Sequence, residues 1–146
     1  MRNLLVVLPL LSITGAVSSV CQPPIKSAFS LSIRAHEPEV ASGHRIELQI
    51  TKTNLSDHAL LVGANRIAPY TFDVRCNRLL VPETEQAKNL RAIPGPMIDG
   101  NLPPHGWAVD TAAVNEFRDM RQPCVYTIQV QEGSVKSNTV TVTVTP

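Results

Sequence analysis

Pro123-Cys124-Val125-Tyr126-Thr127-Ile128-Gln129-Val130, then a polar turn, then Ser137-Asn138-Thr139-Val140-Thr141-Val142-Thr143-Val144-Thr145 close this chain of 146 residues. Val140, Val142 and Val144 fall on one side of an extended segment and threonines on the other. That is the two-residue period of a pleated strand with one face buried. A helix cannot use the pattern, because residues two apart point to different sides of it. The pair of segments reads as an antiparallel hairpin, and the class it sets is an all-β sandwich.

The same period recurs upstream. Phe29, Leu31 and Ile33 alternate with Ser30, Ser32 and Arg34, and the strand ends in a charged turn, His36-Glu37-Pro38-Glu39. Ile46, Leu48 and Ile50 alternate with Arg45, Glu47, Gln49 and Thr51. Asn54-Leu55-Ser56-Asp57 is turn chemistry, since these side chains bond to nearby backbone groups. Leu60-Leu61-Val62 and Tyr70-Thr71-Phe72-Asp73-Val74 read as strands, and Leu79-Leu80-Val81 as a short edge strand before Pro82. The polar stretch from Glu83 to Arg91 is expected to form a helical turn. Pro94, Pro96, Pro103 and Pro104 lie between Ile93 and Gly106, where a proline cannot donate to a ladder, so this stretch is expected to be a long surface loop. Trp107-Ala108-Val109-Asp110 resumes as a strand, and Val114 to Met120 is a crossing segment with one helical turn. Tyr126, near the start of the penultimate strand, stands where a tyrosine corner would send its hydroxyl back to upstream backbone.

The amino end has a cationic start, Met1-Arg2-Asn3, an apolar run from Leu4, and small residues at Ala16 and Ser18. It reads as a secretory signal peptide over residues 1–20, cut after Ser18 or a few residues later. Pro9, Ser12, Thr14 and Gly15 interrupt the run, so no integral membrane span is expected in the mature chain. Residues 21–28 follow as a flexible segment, and 29–146 form one domain. The expected location is outside the cytoplasm: periplasm, envelope or extracellular space.

Three cysteines are present. Cys21 lies at the distance from the start expected of a lipid-modified cysteine, and lipidation there would leave Cys76 and Cys124 as an even pair. Val20 departs from the small residue such a site wants, and the other reading is a Cys21 removed with the signal or left as a thiol in the tail. In an oxidising compartment Cys76 and Cys124 are expected to bond, the alternative being two separate thiols.

Formal net charge is +1 and aromatic residues are 4 %, which gives no electrostatic footprint for nucleic acid and no polybasic patch for anionic lipid. His36, His44, His58 and His105 sit in different turns without the close spacings of a zinc site, so no metal and no cofactor is expected. Cys124 has no His or Met in the following strand to build a copper centre. There is no Gly-x-Ser-x-Gly elbow, and Glu37/Glu39 and Glu83/Glu85 read as solvated edges, so no enzyme is expected.

Gly43-His44-Arg45-Ile46-Glu47-Leu48-Gln49-Ile50 with Asn54-Leu55-Ser56-Asp57, together with the closing hairpin, resembles small immunoglobulin-like domains of secreted bacterial proteins. It is also similar to the fold family of the bacterial intracellular proteinase inhibitor. The resemblance implies an immunoglobulin-like antiparallel β-sandwich of about seven to eight strands and carries no site residue. Such domains have Pro-Gly before the penultimate strand where this chain has Pro123-Cys124.

Two functions follow as expectations. One is a non-catalytic secreted or envelope-associated module that binds a protein or glycan or acts as a spacer. The alternative is a proteinase inhibitor presenting the loop 93–104, with Ile93, Pro94, Gly95, Pro96, Met97, Ile98, Asp99 and Gly100 as its interaction residues, pre-stiffened by proline.

Overall fold

The computed structural model describes residues 27–65, 70–92 and 97–146. These form β1 (Phe29–Ala35), β2 (Glu39–Ala41), β3 (Glu47–Asn54), β4 (Leu60–Asn65), β5 (Thr71–Cys76), β6 (Leu79–Leu80), α1 (Glu85–Ala92), β7 (Met97–Leu102), β8 (Trp107–Ala113), a 3-10 turn (Val114–Glu116), β9 (Cys124–Glu132) and β10 (Val135–Thr145). One sheet has the order β1-β3-β8 and a second the order β2-β10-β9-β5-β6, while β4 and β7 pair as a separate two-stranded arm.

Alternation decides which residues meet. Leu31, Ile33, Leu48 and Ile50 from the first sheet join Phe72, Val74, Tyr126, Ile128, Val130, Val142 and Val144 from the second in one buried cluster. Burying each such aliphatic side chain contributes about 1.5–3 kcal/mol before ordering costs. Val142 and Val144 are buried and Val140 is half-buried, so the closing hairpin faces the core as its period requires.

Four features differ from the sequence reading. The described residues hold ten strands, not seven or eight. Glu39–Ala41, which the sequence reading did not take as a strand and whose first residue it placed in a turn, is β2 and runs parallel to the end of β10, with Thr143 N–H donating to Pro38 O and Ser42 N–H to Thr145 O, both at 2.8 Å. Three residues with only Val40 turned inward are too few to show a period. Residues 97–102, expected in the proline loop, are strand β7, antiparallel to β4. The prolines at 94, 96, 103 and 104 all fall outside the strand's bounds, so the ladder loses no donor to them. Finally, the helical turn is an eight-residue helix, started by Thr84, whose Oγ1 accepts from Ala87 N–H at 3.0 Å.

Three further devices fix the layers. Cys76 and Cys124 form a disulfide between neighbouring strands β5 and β9, with Cα atoms 6.1 Å apart. Tyr126 is buried and its hydroxyl donates to Gln122 O at 2.7 Å, the tyrosine corner anticipated from its position. Arg118 is buried after the 3-10 turn, donating from Nε to Phe72 O at 2.9 Å and from Nη1 to Val81 O at 3.0 Å. It therefore ties β5 to the segment leading into α1.

Candidate functional site

The outward face of the β1-β3-β8 sheet is built in rows by the register: Ser30, Thr53 and Trp107; Ser32, Thr51 and Val109; Arg34, Gln49 and Thr111. Most of these are small or polar, as a solvated face should be. Trp107 and Val109 are the exceptions, 68 % and 41 % exposed respectively. Both lie on β8, which pairs with β3 on one side and, among the described residues, with no strand on the other.

The entry to β8 aims Trp107. His105 has a left-handed backbone (φ 57°) and Gly106 N–H donates to Pro103 O at 2.9 Å. A Cβ on Gly106 would lie 2.7 Å from Pro103 Cγ, so only glycine fits this turn. Gly106 O in turn accepts from Asn54 N–H at 2.9 Å, which starts the β3–β8 pairing with Trp107 opposite Thr53.

Asn54, 1 % exposed, is the buried polar hub of this end. Its Nδ2 donates to His58 O (2.7 Å), Pro103 O (2.9 Å) and Leu102 O (3.2 Å). Its Oδ1 accepts from Ser56 N–H (2.9 Å) and from the Ser56 hydroxyl (2.8 Å). The sequon-like Asn54-Leu55-Ser56 is thus a turn whose amide is fully used. Asp57 and His105 Nε2, 3.0 Å apart, close the outside of the same knot.

At the other end of the same face, Arg34, Ala35, His36, Gln49, Val109 and Thr111 line an open groove of about 480 Å³. Arg34 makes no ion pair among the described residues, whereas Glu47 beside the groove is held by Arg45 at 3.1 Å.

A second group of polar side chains lies between the sheets. Lys52 is 9 % exposed, donates to Glu132 Oε1 at 2.5 Å and sits 4.2 Å from the centre of the Phe29 ring. Glu132 Oε2 is buried without a hydrogen-bond partner among the described residues. Tyr70 donates to Asp110 Oδ2 at 2.6 Å; burial first, then this bond and the carboxylate charge, push its phenol far above the ordinary range. Glu132 Oε2 apart, these groups satisfy one another across the two sheets.

Cys21 and residues 93–96 of the interaction-loop reading lie outside the described residues. Residues 97–100 of that reading belong to β7, backbone-paired to β4, and so are not a free loop. Cys76 and Cys124 are brought together; His36, His44, His58 and His105 are not, and among the described residues no three His, Cys, Asp or Glu side chains gather to hold a metal. No family model matches the chain, and no curated protein is significantly similar to it. No helix among the described residues is long and apolar enough to cross a membrane.

The sequence reading passed over Trp107 by taking it as an ordinary strand residue. The signal was its parity: in Trp107-Ala108-Val109-Asp110-Thr111-Ala112-Ala113 the large apolar residues share one face and Ala108 and Ala112 the other. In a half-buried strand the bulky side chains normally take the core side.

Proposed function

We propose that the chain is an exported, non-catalytic immunoglobulin-like module that engages a protein partner along β8. The observation that carries the reading is the exposed Trp107 beside a strand edge that no other strand pairs among the described residues. A sheet edge offers a row of backbone donors and acceptors, and an extended partner that adds a strand there gains specificity from side chains at alternate positions. Tryptophan is among the residue types enriched at interface hot spots.

The immunoglobulin-like assignment is supported by the strand order, by the way the first strand is shared between sheets as β1 and β2, and by the Tyr126 corner. Export is supported by the signal-like amino end and by the Cys76–Cys124 disulfide, a bond that persists where thiols are not kept reduced.

The reading is tested by capturing envelope proteins on immobilised wild type and on Trp107→Ala. A protein retained by the first and lost from the second supports it, and capture indifferent to Trp107 counts against it. Tethering is tested by Cys21→Ser, which should move the protein from the membrane fraction to the soluble one; an unchanged distribution refutes lipidation.

A further inference from the structure

The geometry points to a second copy of this chain as the occupant of the β8 edge, the two β8 strands pairing antiparallel about a two-fold axis at Val109. The inference rests on the reading of β8 as a protein-binding edge and names its partner.

The edges of the two sandwich sheets are not alike. The β1 edge is closed at Ile33, whose N–H and C=O are both bonded by the Asn138 carboxamide. β2 has three residues and follows Pro38, and β6 has two and is followed by Pro82. Short edge strands, proline and charge are the devices that keep sheet edges from pairing with other chains. β8 has seven residues, no proline and no lysine, and presents Trp107, Val109 and Thr111 outward. Among the described residues it is the long edge of the sandwich without proline or lysine, and its one charge, Asp110, already accepts from Tyr70.

What selects a second copy is self-complementarity. A two-fold contact places one patch against itself, so any projection must meet a recess on the same patch. Trp107 is the projection. The recess is the groove lined by Val109, Thr111, Gln49 and Arg34. With the axis at Val109, residue 107 of one copy stands opposite residue 111 of the other, and directly opposed residues share a face. Each indole then lies at the mouth of the other copy's groove, with the uncommitted Arg34 guanidinium available to its ring face.

Register is chosen by charge. An axis at Asp110 would set two carboxylates against each other on the inner side, and like charges directly opposed are destabilising. With the axis at Val109, Asp110 meets Ala108 and keeps its bond from Tyr70. The product is a continuous six-stranded sheet, β1-β3-β8 followed by the same three strands in reverse order.

Sedimentation equilibrium of the purified mature chain over micromolar to millimolar concentration should show a monomer–dimer equilibrium. Val109→Lys puts two ammonium groups across the axis and should leave monomer only, while Trp107→Ala should weaken the dimer by roughly tenfold or more. Both residues are exposed, so circular dichroism should confirm an unchanged fold. Val109→Cys should form a disulfide between copies that peptide mapping assigns to residue 109, whereas Ser32→Cys on the same face should not. A monomer at all concentrations, or a dimer indifferent to Val109→Lys, overturns the inference. A monomer that still captures an envelope protein through Trp107 overturns the second copy alone and leaves the binding edge standing.

Discussion

Asn138 replaces a missing strand for Ile33: its Oδ1 accepts the Ile33 N–H at 2.8 Å and its Nδ2 donates to Ile33 O at 3.0 Å. Asn138 belongs to β10 of the five-stranded sheet and Ile33 to β1 of the other, so one carboxamide joins the two layers. It is free to do so because the β9–β10 register shifts between Lys136 and Thr139, and Ser137 Oγ takes over the Val130 N–H at 2.9 Å. Asn138→Ala should lower stability by about 1–3 kcal/mol, the cost of leaving edge backbone groups of a core strand unpartnered. Urea unfolding should show a lower midpoint with an unchanged slope. Asn138→Asp should fare no better, since it keeps the acceptor and turns a carboxylate oxygen toward Ile33 O.

Arg118 bonds two backbone carbonyls, and its Nη2 lies 3.6 Å from Glu83 Oε1. A lysine is a point charge without the planar fork and cannot reach both Phe72 O and Val81 O. Arg118→Lys and Arg118→Met should each cost about 3 kcal/mol, measured by denaturant unfolding. Equal stability of the methionine variant would show that the carbonyls find water instead.

The Asn54 hub holds the base of the β4–β7 arm. Asn54→Ala should cost about 3 kcal/mol because it strips partners from a fully buried knot. Asn54→Asp should be at least as damaging, as it sets an oxygen against the carbonyls of His58, Leu102 and Pro103. Faster amide exchange in β4 and β7 than in β9 and β10 would localise the damage to the arm.

Reducing the Cys76–Cys124 bond, or replacing both cysteines with serine, releases a loop spanning 48 residues. The expected loss is about 2–4 kcal/mol, most of it from the freer unfolded chain. Thermal unfolding with and without reductant reads it directly.

The chain has two tyrosines, and burial is the first cause raising the phenol of each above its ordinary 10.0. The folded state therefore favours the protonated phenols. Their contribution to stability is complete below pH about 10 and is lost as pH rises beyond it toward the raised folded values. Alkaline titration followed at the tyrosinate absorption should show ionisation displaced upward from pH 10 while the protein stays folded. Both tyrosines ionising at pH 10 with native circular dichroism intact would refute the upward shifts.

The strands with a full alternating period were legible from residues alone: Leu31/Ile33, Leu48/Ile50 and Val142/Val144 all lie in the common core. The Tyr126 corner was legible for the same reason, since its partner is four residues away. β2 and β7 were not, because one is three residues long and the other is bracketed by prolines that read as loop. The exposure of Trp107 escaped because it depends on which sheet face β8 presents, and that is set by its pairing with β3.

By itself the sequence determined what short-range chemistry can determine: extended segments with one apolar face, turn residues between them, and a chain too poor in helical periodicity to fold otherwise. Tertiary structure decided the long-range facts. It chose which strands became neighbours, joined Cys76 to Cys124, set Asn138 against Ile33, and placed β8 at an edge of the three-stranded sheet. A side-chain period says which face of a strand is buried, but it carries no information about the strand lying next to it in space.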